Sequence, residues 1–305
     1  MDRYYRTPST FEDTVFVSLV MQGEGMYHSI MAQRRHKPYC MGSLYWQLND
    51  SWPVVSWSAI DYYGNRKALH YYAAKAFEPL ALDIEMKEAG FDVNLISDIY
   101  KDILNCDVRV TVKDFKGNEI YRVVNNSIFK ANAVTHVSSV LYTDIPNFDA
   151  VKNTSFVYAE VVDKDGKVVA SSHAYFTVPG ALQLPADPAI SAEFVRNGAN
   201  DYTLTLVSAD LVKNLYLETP DHGVRYSDNF FDLLPNEKKV VRILLPGLEK
   251  ENQPLPAASS EIKIPETGLD SLSASSALKP EVVPVPVKPP FDIEAYVKMK
   301  YINKI

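Results

Sequence analysis

Hydrophobic residues recur along this 305-residue chain with two different periods. At the front the spacing is helical. Ser9, with Glu12 three positions on, predicts a capped helix start. Phe11, Val15, Leu19, Met26 and Ile30 follow at helical spacing, while Phe16 and Val20 lie off that stripe. A helix apolar around so much of its circumference is expected to be well buried. Gly23 and Gly25 weaken it and point to close packing against a neighbour. "RRHKP" ends it, because basic side chains suit a helix C-terminus and Pro38 stops propagation. "YCMGSLYWQ", residues 39–47, then reads as a strand. Cys40, Gly42, Leu44 and Trp46 share one face, and Met41, Ser43, Tyr45 and Gln47 the other. A strand mostly apolar on both faces belongs inside an α/β structure. After Asn65 a second helix places Leu69, Tyr72, Ala73, Ala76 and Phe77 on one stripe.

From about residue 81 to 250 the period becomes two. "FDVNLIS", "CDVRVTVKD", "SFVYAEVVD" and "KVVASSHAYFTV" alternate, with hairpin or turn signals at "DFKGNE" and "DKDGK". "PGALQLPADP", 179–188, reads as a short linker, and "DYTLTLVS", "NLYLETP" and "KKVVRILLP" form a second strand set. The pattern predicts two small sandwiches in series. Residues 251–290 are rich in proline, with a Ser/Ala-rich middle, and "PEVVPVPVKPP" favours polyproline conformations. Residues 251–305 are therefore expected to form a flexible tail. The last stretch, "FDIEAYVKMKYINKI", fits a short helix or a strand.

Composition narrows the function classes. The net charge is −7 and no dense Lys/Arg run exists, which argues against nucleic acid and anionic membranes as partners. No apolar run approaches the roughly 20 residues needed to span a bilayer. The N-terminus, "MDRYYRTPSTFED", is polar and charged, unlike a secretory signal. Cys40 and Cys106 are read as free thiols, since nothing marks a disulfide-stapled scaffold. The six histidines are scattered without ligand spacing, so neither a metal site nor any other cofactor is expected.

One stretch carries candidate chemistry. All three tryptophans, Trp46, Trp52 and Trp57, fall within twelve positions of one strand-and-loop segment, beside Asn49, Asp50 and Asp61. A single tryptophan there reads as core. Three together suggest a surface. An aromatic face offers an apolar platform for the C–H side of a sugar ring, and nearby amides and carboxylates bind hydroxyls. These residues alone point to a carbohydrate site, with Trp46, Asn49, Asp50 and Trp52 as candidate substrate-binding groups.

The run Leu44-Tyr45-Trp46-Gln47-Leu48-Asn49-Asp50, then Trp52-Pro53, Ser56-Trp57 and Asp61-Tyr62-Tyr63-Gly64, resembles the last barrel strand and helix of the β-mannosidases of glycoside hydrolase family 2. "LVMQGEGMYHSIMAQRRHKPYCMG" resembles the helix leading into that strand. "ETPDHGVRYSDNFFDLLPNEKKVV" resembles the C-terminal sandwich of the same enzymes. The resemblance covers roughly residues 1–248 and is absent from the Pro-rich tail. It implies a multidomain α/β plus all-β chain: the C-terminal end of a (β/α)8 barrel over residues 1–80, then immunoglobulin-like sandwiches over 81–178 and 190–250. It places Trp46 on the floor of the subsite for the terminal mannose, and Asn49 and Asp50 at the barrel mouth, fixing the loop or hydroxyls. It also implies a cis peptide between Trp46 and Gln47.

The catalytic groups are missing. Retaining glycosidases use two carboxyl groups about 5–5.5 Å apart. In this family both are glutamates on earlier barrel strands, one after an asparagine and one in a Glu-Phe-Gly-like strand end. Here Asn118-Glu119 falls in a β-turn, Asn236-Glu237 in a loop, and no Glu-Phe-Gly string exists. Glu24 sits in the first helix, and no catalytic residue is assigned. A closed barrel needs eight strands, and residues 1–80 offer one. The isolated chain is therefore expected to be inactive. A truncated gene product, a start placed too late at Met1, and one half of a split enzyme all fit. The expected partners are β-mannoside glycans and the missing N-terminal part of the enzyme. Two rival readings stay open: a non-catalytic sandwich that binds glycans or protein, and β-galactosidase or β-glucuronidase specificity, against which "YWQLNDSWP" argues. Localisation is open, since any export signal would precede Met1; the resemblance alone suggests the periplasm or secretion.

Overall fold

The computed structural model describes residues 1–246 and 293–304. Two helices open the chain. α1 runs Phe11–Arg35 and α2 runs Ala68–Ala76. Thr10, not Ser9, caps α1: its hydroxyl accepts from the Asp13 amide at 3.1 Å. The buried face is Phe16, Val17, Val20 and Gly23, continued by Ile30, Met31 and Arg34. Of the predicted stripe, Phe11 and Val15 face outward, with Phe11 82 % exposed, whereas Leu19 and Met26 pack on core clusters and Ile30 is buried. Over the first turns of α1 the second sandwich takes the neighbouring stripe, Phe16, Val17 and Val20. Gly23 does mark a close approach, because a Cβ there would stand 2.5 Å from the Tyr72 ring of α2. Gly25 meets nothing within 4 Å.

The strand expected over residues 39–47 has no ladder. The segment has no regular structure, yet its burial still alternates: Ser43, Tyr45 and Gln47 are half-buried, while Leu44, Trp46 and Leu48 are exposed. A strand needs a neighbour to bond with. None of the described strands pairs with this segment.

The first sandwich pairs a sheet ordered β1-β2-β5 with one ordered β4-β3-β6-β7. Its strands are β1 Leu80–Met86, β2 Gly90–Ser97, β3 Ile103–Asp114, β4 Glu119–Phe129, β5 Val134–Leu141, β6 Ser155–Val162 and β7 Val168–Tyr175. A one-turn helix, α3 (Phe148–Val151), bridges β5 and β6. Alternate residues of β3 and β6, among them Val108, Val110, Val112, Val157, Ala159 and Val161, fill the core. Both turn signals hold. The Asp114 carboxylate accepts from the Lys116 and Asn118 amides, and Asp163 from the Asp165 and Lys167 amides, all at 2.9 Å. Gly117 and Gly166 supply the positive φ these turns require.

The second sandwich pairs β11-β13-β9-β8 with β12-β10-β14. Its strands are β8 Ile190–Arg196, β9 Asp201–Ser208, β10 Val212–Glu218, β11 Arg225–Tyr226, β12 Phe231–Leu233, β13 Lys239–Leu244 and β14 Lys298–Lys300. The flexible-tail expectation therefore fails at its far end. A short helix, α4 (Ile293–Tyr296), and β14 dock on the sandwich, because Ile293, Val297, Tyr301 and Ile302 complete its core. The proline-rich run of the same tail lies outside the described residues.

Helices and sandwiches meet at a buried polar joint. Lys213 of β10 lies 2.8 Å from Glu24 of α1 and 3.8 Å from Asp232 of β12. Asp232 accepts from the Tyr175 hydroxyl of β7 at 2.6 Å and lies 2.8 Å from His173 Nε2. Tyr5 donates to Glu24 at 2.5 Å, and Asn214 donates to the Tyr72 hydroxyl of α2 at 2.5 Å. Both helices and one sheet of each sandwich thus contribute groups to one hydrogen-bonded network.

Candidate functional site

The tryptophan segment begins where α1 ends. Arg34 of α1 donates to the carbonyls of Ala76 and Glu78 and pairs with Asp98 at 2.9 Å, which fastens α1 to the end of α2 and to the first sandwich. The chain then runs without regular structure from residue 40, bends at Trp46 and Leu48, and turns back on itself. The amides of Ala59 and Ile60 donate to the Leu48 carbonyl at 3.1 and 2.9 Å, and the Asp50 amide donates to Ile60 at 3.1 Å. The Lys67 amide donates to Ala59 at 2.9 Å, so the start of α2 is tied to the same fold-back. The Trp46–Gln47 peptide is cis, as the resemblance implies.

Asp50 is the buried centre of this loop. Its carboxylate accepts from Ser56 Oγ at 2.6 Å and Ser58 Oγ at 2.7 Å, with Lys67 Nζ at 3.5 Å. Those hydroxyls, then the Lys67 charge, hold the carboxyl below its ordinary range. Lys67 also donates to Ser58 Oγ at 2.8 Å. Of the two roles open to Asp50, the geometry supports fixing the loop. Its oxygens point inward, not at a ligand. Asn49 is exposed; its amide nitrogen donates to the Asp50 carbonyl at 3.2 Å, and its own carbonyl accepts from Gln47 Nε2 at 2.9 Å.

The tryptophans stand outside this pinned base. Trp46, Trp52 and Trp57 are 73 %, 65 % and 58 % exposed. Only the backbone of Trp57 is held, its carbonyl accepting from Gln22 of α1 at 2.8 Å. Leu44, Met41 and Val55 extend the same segment's exposed apolar surface. Large exposed apolar patches are in general a mark of interaction or ligand surfaces. Of the four candidate residues, Trp46, Asn49 and Trp52 are exposed on this segment and Asp50 is buried beneath it.

Residues 61–65 fasten the loop to the second sandwich. Asp61 accepts from the Asn65 amide at 2.8 Å and from its side chain at 2.9 Å. Asn65 in turn accepts from the Gly223 amide at 3.1 Å, and Tyr63 stacks on His222 with ring centroids 4.6 Å apart. Asp61 is therefore a turn tie. Neither His222 nor Gly223 stands out in the sequence; the only signal is that both lie in "ETPDHGVRY", part of the segment that carries the family resemblance.

Among the described residues, the glutamates considered from the sequence are engaged elsewhere. Glu24 is engaged by Tyr5 and Lys213. Glu119 opens β4 and lies 3.8 Å from Arg122, and Glu237 follows the turn at Asn236 and lies 3.8 Å from Lys113 of β3.

The comparisons agree with this architecture. Residues 89–179 match the mannosidase Ig/CBM-like domain, and residues 186–265 match the Ig-fold domain of mannosidases. β-Mannosidase B of Thermothelomyces thermophilus is 28 % identical over 278 residues, covering 81 % of this chain and 31 % of that protein. The Aspergillus niger β-mannosidase B is 25 % identical, over 78 % of this chain and 30 % of that protein. The crystal structure of β-D-mannosidase from Dictyoglomus thermophilum superposes with a TM-score of 0.70 at 23 % identity, over 80 % of this chain and 29 % of that one. The chain carries the two Ig-like domains of mannosidases and is similar over most of its length to the C-terminal third of β-mannosidases of glycoside hydrolase family 2. It spans about a third of the length of the curated β-mannosidases it matches. The fold extends beyond them: an exo-chitosanase of Amycolatopsis orientalis superposes with a TM-score of 0.58 at 18 % identity, over 77 % of this chain and 32 % of that one. In this structure the sandwiches brace the two helices, and the helices hold out the tryptophan segment.

Proposed function

We propose that this chain supplies one wall of the sugar site of a retaining β-mannosidase, an enzyme that releases terminal β-D-mannose from the non-reducing ends of β-mannosides. Residues 1–80 form the last helix–strand–helix part of a (β/α)8 barrel. Residues 81–178 and 190–246 are the accessory sandwiches, joined by 179–189, and residues 293–304 complete the second. Trp46 forms the apolar floor beneath the terminal mannose, Trp52 and Asn49 form the rim, and Asp50 positions the loop through Ser56 and Ser58. The two catalytic glutamates come from polypeptide outside this sequence, on barrel strands that cover the bare edge of residues 39–47.

One observation carries this reading. A rigidly pinned loop presents three exposed tryptophans beside a segment without a strand partner. Such an edge calls for a neighbouring strand, and such a platform suits a sugar ring.

The test is hydrolysis of an aryl β-mannoside by the purified chain. The chain alone should be silent. Turnover that a substitution within residues 1–305 abolishes would show that the chemistry lies inside it. Glycan binding that persists in residues 81–305 without the tryptophan segment would favour a sandwich-based binding module instead.

A further inference from the structure

β10 is a central strand only because β14 lies beside it. The two pair antiparallel, with Tyr216 opposite Lys300, Leu217 opposite Met299 and Glu218 opposite Lys298. Without β14, β10 would be an open edge with unpaired backbone groups. The residues around β14 reach further than the sheet. Ile293, Val297, Tyr301 and Ile302 are buried in one cluster with Phe16 and Val17 of α1 and Leu215 and Leu217 of β10. Lys300 lies 2.6 Å from Asp13 and 5.6 Å from the centre of the Phe16 ring, both on α1. Asn303 accepts from the Lys213 amide at 2.8 Å and donates to the carbonyls of Pro185 at 2.9 Å and Leu211 at 2.8 Å.

We infer that residues 293–304 are a separable clasp: a strand-adding peptide that fills a groove between β10 and α1 and locks the second sandwich to the helices. The groove reads three features of its occupant. The backbone of 298–300 supplies the ladder, the apolar side chains fill the floor, and Lys300 and Asn303 set position and direction. This is β-augmentation, in which main-chain bonds hold the peptide and side-chain pockets select it. Its occupant is this chain's own C-terminal segment, joined to β13 only through residues 247–292. Recognition therefore resides in the segment itself and does not need that connection.

The test uses the full chain with a specific-protease site inserted between Ser273 and Ala274. After cutting, the C-terminal piece should co-elute with the rest on gel filtration. A labelled peptide of residues 291–305 should then exchange into the cut chain and bind saturably by fluorescence anisotropy. Asn303→Ala in that peptide removes three hydrogen bonds and should weaken binding roughly tenfold or more. Loss of the piece on the first column, with no saturable peptide binding, overturns the proposal, and so does equal binding by a scrambled peptide. A second measurement needs no cut. In the intact chain, Asn303→Ala should speed hydrogen exchange at the amides of residues 216–218 and leave those of β9 unchanged. Unaltered protection at 216–218 overturns the proposal. None of these residues touches the tryptophan loop, so failure here leaves the proposed sugar site standing.

Discussion

Asp232→Ala removes the central acceptor of the joint between helices and sandwiches. Asp232 accepts from the Asn214 amide at 2.7 Å and from the Tyr175 hydroxyl at 2.6 Å, with His173 Nε2 at 2.8 Å and Lys213 Nζ at 3.8 Å. Burial pushes its carboxyl up, but Lys213, His173 and Tyr175 outweigh that and hold it well below the carboxylate range. Burial likewise pulls Lys213 down, and Asp232 and Glu24 more than offset it. Alanine would leave Lys213, whose side chain is 3 % exposed, with Glu24 alone. The Tyr175 hydroxyl and the Asn214 amide would each lose an acceptor. Breaking a buried ion pair by removing one partner costs about 3–5 kcal/mol. In a chain of this size each kcal/mol moves the melting temperature by about 2–4 °C, so a fall of roughly 6–20 °C is expected. Thermal unfolding near neutral pH reads it directly. Asp232→Asn, which can still accept from Asn214, should fall in between. The pH dependence has a definite sign. The folded pKa lies below the unfolded value of about 3.9, so the stabilisation is whole above that range and is lost as pH falls through it. Asp232→Asn should therefore flatten the acid limb of the stability profile. A melting temperature for Asp232→Ala within about 2 °C of the parent would refute this reasoning.

Other expectations follow from single contacts. Gly23→Ala adds a methyl group 2.5 Å from Tyr72, so overpacking of about 1–3 kcal/mol should outweigh a helix-propensity gain of about 1 kcal/mol; urea unfolding that shows a stabilised variant would contradict it. All tryptophan emission comes from residues 46, 52 and 57, so the isolated chain should emit like tryptophan in water and be fully accessible to acrylamide. A blue-shifted, protected spectrum would mean the face is covered. Asp50→Ala should loosen the loop, raising hydrogen exchange at residues 58–60 while β9 stays protected; unchanged exchange at 58–60 would remove Asp50 from its positioning role.

Local rules made much of this fold legible. Period-two alternation located β3, β6 and β9, because each buries one face against a facing sheet. The aspartate–glycine turns were readable because Asp114 and Asp163 bond their own backbones. Long-range partnerships were not. The alternation of residues 39–47 is present in the burial, but whether a strand forms depends on a neighbour. The apolar stripe from Phe11 is well formed, and only the docking of the second sandwich decides that Phe16, Val17 and Val20 face inward. β14 is three residues long and gains its identity from β10, more than seventy positions earlier. The Glu24–Lys213 pair, 189 positions apart, has no local signature at all. At the site, clustering exposed the tryptophans, whereas the inward role of Asp50 depended on Ser56, Ser58 and Lys67 converging on it.

The central claim is that Trp46 floors a mannose subsite completed by barrel strands from outside this sequence. The most direct measurement is kcat/KM for an aryl β-mannoside in one polypeptide that joins this chain to barrel strands carrying both glutamates, with and without Trp46→Ala. Losing a buried aromatic anchor of about 2–4 kcal/mol predicts a fall of roughly 30- to 1,000-fold, with the thermal transition unchanged. A kcat/KM within about threefold of the parent, below the tenfold that 1.36 kcal/mol represents, would contradict it.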